Sequence, residues 1–363
     1  MKFRLTPYCA GPPVSGKNFV GREHILEAVQ KREKGTLIIG PFRWGKTSIL
    51  DEGIRRLGSD NVVVGNVAAI NNSKDILRGI FRNLNSRMNV PDSYGEAVEN
   101  LKALDKELHE QGTFKYIFID EFTSILKDKK AVDALAFFHE LRQLKAIKLV
   151  IAIHPQGVWK AQELFPSFLE SLEHHLVGPL LEQDVDKLIG LSAESGLTFT
   201  PEAREAVHKR TGRITIFVQI LLSEIVMRVE GNLVKVDDIP HINFDFRSQW
   251  TWCFTPHQRD IIRKVLKNPG ISTDDIPDAK DLRLVKKLRK ALARLTGKHY
   301  VEEGRIEPEK LLADLRLLAL AGFGILLGEE NKYRINGDIL EHNIGALMRG
   351  EERYGFRELN GFP

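Results

Sequence analysis

The chain has 363 residues, a net charge of +4, 42% apolar and 28% charged side chains, the balance of a soluble globular protein with two or three domains. Cys9 and Cys253, its two cysteines, lie far apart in sequence, which excludes a disulfide framework or a cysteine metal cluster and suits a reducing, cytoplasmic location. So small a net charge does not by itself imply a nucleic-acid partner. Met1 to Tyr8 lacks the apolar core of a signal peptide, and the most apolar long run, Leu311 to Leu327, is interrupted by Asp314 and Arg316 and reads as core, not as a membrane span.

In chain order, a lead containing Pro7, Gly11, Pro12, Pro13 and Gly16 is followed by Phe19-Val20-Gly21-Arg22-Glu23 and by Ile25, Leu26 and Val29 at helical spacing. Thr36 to Ile39 has strand character and runs into Gly40-Pro41-Phe42-Arg43-Trp44-Gly45-Lys46-Thr47-Ser48. That run fits G-x-x-x-x-G-K-[ST] at every fixed position, and a helix-like segment, Thr47 to Leu57, continues it. Strand, glycine-rich loop and helix in this order predict a phosphate site. Backbone N–H groups and the helix N-terminus face the phosphate oxygens, the two glycines permit close approach, Lys46 bridges the β- and γ-phosphates, and the Thr47 hydroxyl ligates Mg²⁺.

Phe19 to Glu23 followed by a loop of the form G-P-x-R-x-G-K-T-S resembles the archaeal ATPase family of the STAND/AAA+ division of P-loop NTPases, which is related to archaeal origin-recognition ATPases. The resemblance implies an α/β P-loop NTPase core with a parallel sheet, a small helical lid and a C-terminal winged-helix domain. It also implies that Arg22 approaches the nucleotide; the alternative is a solvated arginine at a helix start.

Asn61 to Val67 is expected as a buried strand, and Ser73 to about Gly112 as helix broken at residues 91–95. Asn72 to Asp75 has the wrong order for a guanine-reading motif; its absence, together with what the resemblance implies, makes ATP expected over GTP. Lys115 to Glu121 is an apolar strand ending in two acids, which is costly unless that end opens on a site. Asp120 is expected to hold the Mg²⁺ shell as a Walker B acid, and Glu121 to orient the attacking water. Ala131 to Leu144 predicts a helix and Lys148 to Ile153 a buried strand ending at His154. The resemblance makes His154 a candidate sensor of the γ-phosphate, although relatives carry Gly-Ser or Asn there; a histidine satisfying a loop carbonyl is the alternative. Arg142 reads better as a solvated helix arginine than as an arginine finger.

From Pro179 to Val226 the texture is helical, as in the lid of the family. Arg213 and Thr215 stand where the family has the second Gly and the Pro of T-G-G-x-P, so Arg213 is either a sensor arginine or a lid-surface residue. The expected boundaries are residues 1–178 for the core, 179–243 for the lid, 244–254 for a junction rich in aromatics, and 255–363 for a winged-helix-like domain. Within the last, a helix at His257 to Lys267, helices at Asp281 to Leu295 and Pro308 to Ala321, and a hairpin from Phe323 to Leu327 and Tyr333 to Ile335 are expected, with Gly328 to Asn331 as its turn. Thr255 to Tyr300 holds twelve Lys or Arg against five Asp, a local +7. Lys286, Lys287, Arg289, Lys290 and Arg294 could follow the backbone of double-stranded DNA, or form a solvated face. The helix that would read bases, Glu307 to Ala321, is mostly Leu and Ala, which favours non-specific phosphate contact or a protein partner over sequence reading.

These observations lead to an expected Mg²⁺-dependent ATPase that binds ATP and ADP and repositions its C-terminal domain, with a homo-oligomer or protein partner and no membrane. The rivals are a slowly hydrolysing ATP-gated switch or DNA-binding adaptor and, less favoured, a small-molecule kinase.

Overall fold

The structure, a computed structural model, describes residues 6–8, 11–31, 35–66, 73–84, 89–127, 130–242, 256–267, 271–272, 326–329 and 332–348. The chain divides into two compact units: Pro13–Pro41 with Gly45–Val177, and Met1–Pro12 with Phe42–Trp44 and Gly178–Pro363.

The first unit alternates helix and strand: α1 (Glu23–Gln30), β1 (Gly35–Ile39), α2 (Lys46–Leu57), β2 (Val62–Asn66), α3 (Ser73–Leu84), α4 (Tyr94–Glu110), β3 (Lys115–Asp120), α5 (Ala131–Leu141), β4 (Ile147–Ile153), α6 (Pro155–Leu164), α7 (Pro166–Glu170) and β5 (Leu172–Leu176). The strands form one sheet in the order β2-β3-β4-β1-β5, and every pairing is parallel. β1 and β4 are buried at every residue, as strands covered by helices on both faces must be, and so they read as mainly apolar runs, interrupted only by Thr36 and Lys148. Asp105 on α4 secures the entry to β4, its carboxylate accepting from the backbone N–H of Lys145, Ala146 and Ile147 at 3.0, 2.7 and 2.9 Å.

β5 is the strand that sequence reading misses. Its Glu173, His174 and His175 are neither β-branched nor apolar, yet the segment pairs with β1 from Gly35↔Leu172 to Ile39↔Leu176. It lies at the edge of the sheet, where only partial burial is demanded and the hydropathy signal is lost.

The second unit contains α8 (Glu182–Leu191), β6 (Thr198–Phe199), α9 (Pro201–Thr211), α10 (Thr215–Arg228), β7 (Leu233–Val234), α11 (Pro256–Lys267), β8 (Ile271–Ser272), β9 (Leu326–Glu329), β10 (Lys332–Ile335) and α12 (Asp338–Met348). Thr200 caps α9 by accepting from the Ala203 N–H at 3.2 Å, and Pro201 occupies the first turn. α10 is apolar nearly all round, and nine of its residues are buried. Tyr8 joins this unit through its hydroxyl, 2.8 Å from the Leu188 carbonyl and 2.6 Å from Ser192 Oγ. Burial pushes its phenol up to about 12.

β8, β10 and β9 form an antiparallel sheet in that order. The expected hairpin is present with a shifted boundary: Gly328 pairs with Tyr333 and Glu329 with Lys332. Backbone pairing therefore extends into residues whose polarity read as turn. α12 packs on α9, and the turn before it meets the one after α9, where Asn336 Nδ2 donates to the Gly212 carbonyl at 2.9 Å. The aromatic junction, the basic run from Lys280 to Lys298 and the helices expected at Asp281 to Leu295 and Pro308 to Ala321 lie outside the described residues. Among the described residues no helix is long and apolar enough to cross a membrane.

Candidate functional site

The glycine-rich loop leaves the C-terminal end of β1 and ends at the N-terminus of α2. Gly45 adopts φ 98°, a left-handed conformation that opens the helix without steric penalty. At Gly40 the constraint is space, since a Cβ there would lie 2.9 Å from the Val177 Cβ. Lys46 is 4% exposed and donates from Nζ to the Pro41 carbonyl at 3.0 Å. A buried ammonium held this way on a loop of backbone amides is an anion-binding arrangement.

Sheet order explains which groups meet it. β4 lies between β1 and β3, so the C-terminal ends of all three open side by side, about 4.8 Å from strand to strand. Gly40 N–H donates to the Ile153 carbonyl at 3.2 Å, tying the start of the loop to the end of β4. His154 follows β4 and is 5% exposed. Its Nδ1 is 3.4 Å from Lys46 Nζ and its Nε2 is 2.9 Å from Glu121 Oε2. A carboxylate only accepts and an ammonium only donates, so the neutral ring carries its proton on Nε2 and offers Nδ1 to the lysine. Burial, then the Lys46 charge, holds His154 below its ordinary range, partly offset by Glu121. The hydrogen bond from His154 holds the Glu121 carboxyl below the usual carboxylate range against the opposing effect of burial. Thr123 Oγ1 accepts the His154 N–H at 3.0 Å.

Thr47 donates from Oγ1 to Asp120 Oδ2 at 2.8 Å, joining the first residues of α2 to the end of β3. Asp51, one turn further along α2 and on the same face as Thr47, is pushed up by burial and by the Asp120 charge. Sequence reading passed over Asp51, although its four-residue spacing from Thr47 was a usable signal. The neighbouring face of α2 looks elsewhere. Ser48 Oγ accepts the Val14 N–H at 3.1 Å, and Glu52 accepts the Gly16 N–H at 2.9 Å.

Arg22 caps the start of α1 at φ 68°. Phe42, Arg43 and Trp44 group with the second unit. There Arg43 lies over the Phe42 ring at 5.6 Å, and Trp44, 1% exposed, meets Phe217 edge-on at 6.4 Å. Arg213 also belongs to that unit, with its guanidinium 3.1 Å from Glu182 Oε1. Arg142 is exposed at the end of α5.

The residues at the ends of β1 and β3 have the chemistry to hold a nucleotide with Mg²⁺. Thr47 and Asp120 offer two hard oxygen donors to an ion that ordinarily takes few protein ligands and completes its shell with water and phosphate. Asp51 and Asp120 crowd like charges that a cation would relieve. Among the described residues no group of three or more His, Cys, Asp or Glu forms a cage for a metal held by protein alone.

No protein-family model matches the chain, and no curated relative matches it. Solved structures do. The Walker-type ATPase PABY2304 of Pyrococcus abyssi is 15% identical over 92% of this chain and 98% of its own, with a TM-score of 0.56. The chain has the fold of an archaeal Walker-type ATPase. The ORC2 protein of Aeropyrum pernix, solved in ADPNP-ADP complexes, is 14% identical over 91% of this chain and 93% of its own, at 0.53. The resemblance read from Phe19 to Glu23 and the loop after it therefore holds at the level of fold, a central parallel sheet with the glycine-rich loop at its C-terminal edge.

Proposed function

We propose that the chain binds Mg-ATP at residues 40–48 and hydrolyses it by in-line attack of water. One observation carries this reading. The loop lysine, the hydroxyl after it, Asp120 at the end of β3 and Glu121 just after it converge through two short connections, Thr47 to Asp120 at 2.8 Å and Lys46 to Glu121 by way of His154. Gly40, Pro41, Phe42, Arg43, Trp44, Gly45 and Ser48 supply the loop, whose amides and helix N-terminus hold the phosphate oxygens. Lys46 exchanges the Pro41 carbonyl for the β- and γ-phosphates. Mg²⁺, held by Thr47 and Asp120, would neutralise charge on those oxygens. Glu121 accepts a hydrogen bond from the attacking water and aligns it, and His154 holds that carboxylate ionised and oriented. Arg22 contacts the base side of the nucleotide. The helices α8, α9 and α10 act as a lid, and the C-terminal segment, as a winged helix, is what the nucleotide state repositions.

A second reading, a switch that hydrolyses slowly, draws support from Glu121 being hydrogen-bonded to His154 instead of standing free for water. Turnover and nucleotide affinity in two variants test both. Lys46→Ala should abolish nucleotide binding. Glu121→Gln should keep nucleotide and lose turnover by roughly 10²–10⁴-fold. Turnover unchanged in Glu121→Gln would remove the hydrolytic role, and nucleotide bound equally well without Lys46 would remove the site.

A further inference from the structure

A cleft that shares no residue with the phosphate loop lies in the first unit, between the start of α4 and one face of α5. Its volume is about 450 Å³, within the range of small-molecule sites. Aromatic rings line it: Tyr94 stacks on the buried Phe137 with centroids 5.1 Å apart and planes inclined at 29°.

The pattern comes from α5. Asp133, Ala136, Phe137 and Glu140 all line the cleft, and their three- and four-residue intervals place them on one face of the helix. Asp133 and Glu140 are seven residues apart, two turns, which sets them about 10.5 Å apart along the axis. Ala136 and Phe137 fill the span between the two acids. Neither Asp133 nor Glu140 makes an ion pair or a side-chain hydrogen bond among the described residues.

Asp92, just before α4, adds a third carboxylate. The chain there is held in place, because Glu96 Oε2 accepts the Asp92 N–H at 2.9 Å and Ser93 Oγ accepts the Glu96 N–H at 3.2 Å. Against these three acids the cleft has one base, Lys130, and so carries a formal charge of −2. A single acid on a helix face is ordinarily a solvated residue. Two of them, spaced by an aromatic and aliphatic strip inside a cleft, match a ligand with a cation at each end and methylenes between. A metal ion does not match, since the two acids of α5 are too far apart to share one and among the described residues no group of three His, Cys, Asp or Glu could hold it.

We infer that this cleft binds a linear aliphatic polyamine. In an extended triamine such as spermidine the terminal ammoniums lie a similar distance apart, so that one meets Asp133 and the other Glu140. Its methylenes cover Ala136 and Phe137, taking apolar surface out of water. The aromatic lining attracts the inner ammonium, and Asp92 supplies the third counter-charge.

Calorimetric titration of the full chain with spermidine tests this, in the absence of nucleotide because triphosphates themselves pair with polyamines. Saturable binding at one site is expected. Asp133→Asn and Glu140→Gln, neither of them in the core, should each weaken it about fivefold and together about 25-fold, since the two ends contribute separately. Putrescine, a diamine too short to join the two acids, should bind at least about fivefold more weakly than spermidine. No saturable binding, an affinity unchanged in both single variants, or putrescine bound as tightly as spermidine would overturn the inference. The nucleotide reading would stand in each of those cases, because the two sites have no residue in common.

Discussion

Four residues other than glycine hold a left-handed backbone among the described residues: Arg22, Arg43, Glu121 and Arg213, at φ 68, 64, 53 and 60°. Each costs on the order of 1–2 kcal/mol, which the surroundings must offset. All four are residues that the sequence marked as candidates for catalytic, nucleotide or sensor roles, so backbone strain and chemical motif coincide without either being derived from the other. At Glu121 the strained backbone directs the side chain to His154. His154→Ala should therefore lower kcat by roughly 10–10²-fold with KM for ATP changed only a few-fold, as expected when an orienting group is lost. His154→Asn, whose amide can still donate to Glu121, should recover much of that loss. Steady-state kinetics of the two variants decide the matter, and equal rates for Ala and wild type would reduce His154 to packing.

At the scale of elements, motifs are useful only where strands end in the right order. β4 separates β1 from β3, and Asp105 on α4 fastens its entry through three backbone donors. Removing that carboxylate leaves three amides at the edge of the core without their acceptor. Asp105→Ala should cost about 3 kcal/mol of unfolding free energy, read as a lower denaturant midpoint at constant m-value. A loss below about 0.5 kcal/mol would place Asp105 with ordinary surface residues. The helices were legible from apolar spacing and proline: α4, which starts at Tyr94 within the expected break at residues 91–95, and α9 from Pro201 behind its Thr200 cap. β5 was not, because an edge strand of Glu and His has no hydrophobic signature to detect.

For the whole molecule, the open question is what an ATP cycle would drive. The strip from Lys286 to Arg294 stands out in a chain of modest net charge. If it follows a phosphate backbone, duplex DNA should stimulate turnover at low salt, and the stimulation should fade between about 50 and about 200 mM salt as counterion release weakens. Rates with and without DNA at the two salt concentrations measure this. Stimulation indifferent to salt, or none, would return the strip to a solvated face and favour a protein partner.

Residues 40–48 and the pair Asp120-Glu121 could be singled out as a candidate site from sequence alone, because a glycine-rich loop and an acidic strand end are each contiguous in the chain. The alternation of strands and helices was legible for a similar reason, since burial on both faces writes itself into local hydropathy. Tertiary structure was needed for the pairings. Neighbours in a parallel sheet are set by crossovers, not by nearness in sequence, and periodicity records whether a residue is buried without recording against what. His154 between Lys46 and Glu121, Asp51 beside Asp120, and Glu52 under Gly16 all depend on contacts across chain separations that no local pattern encodes.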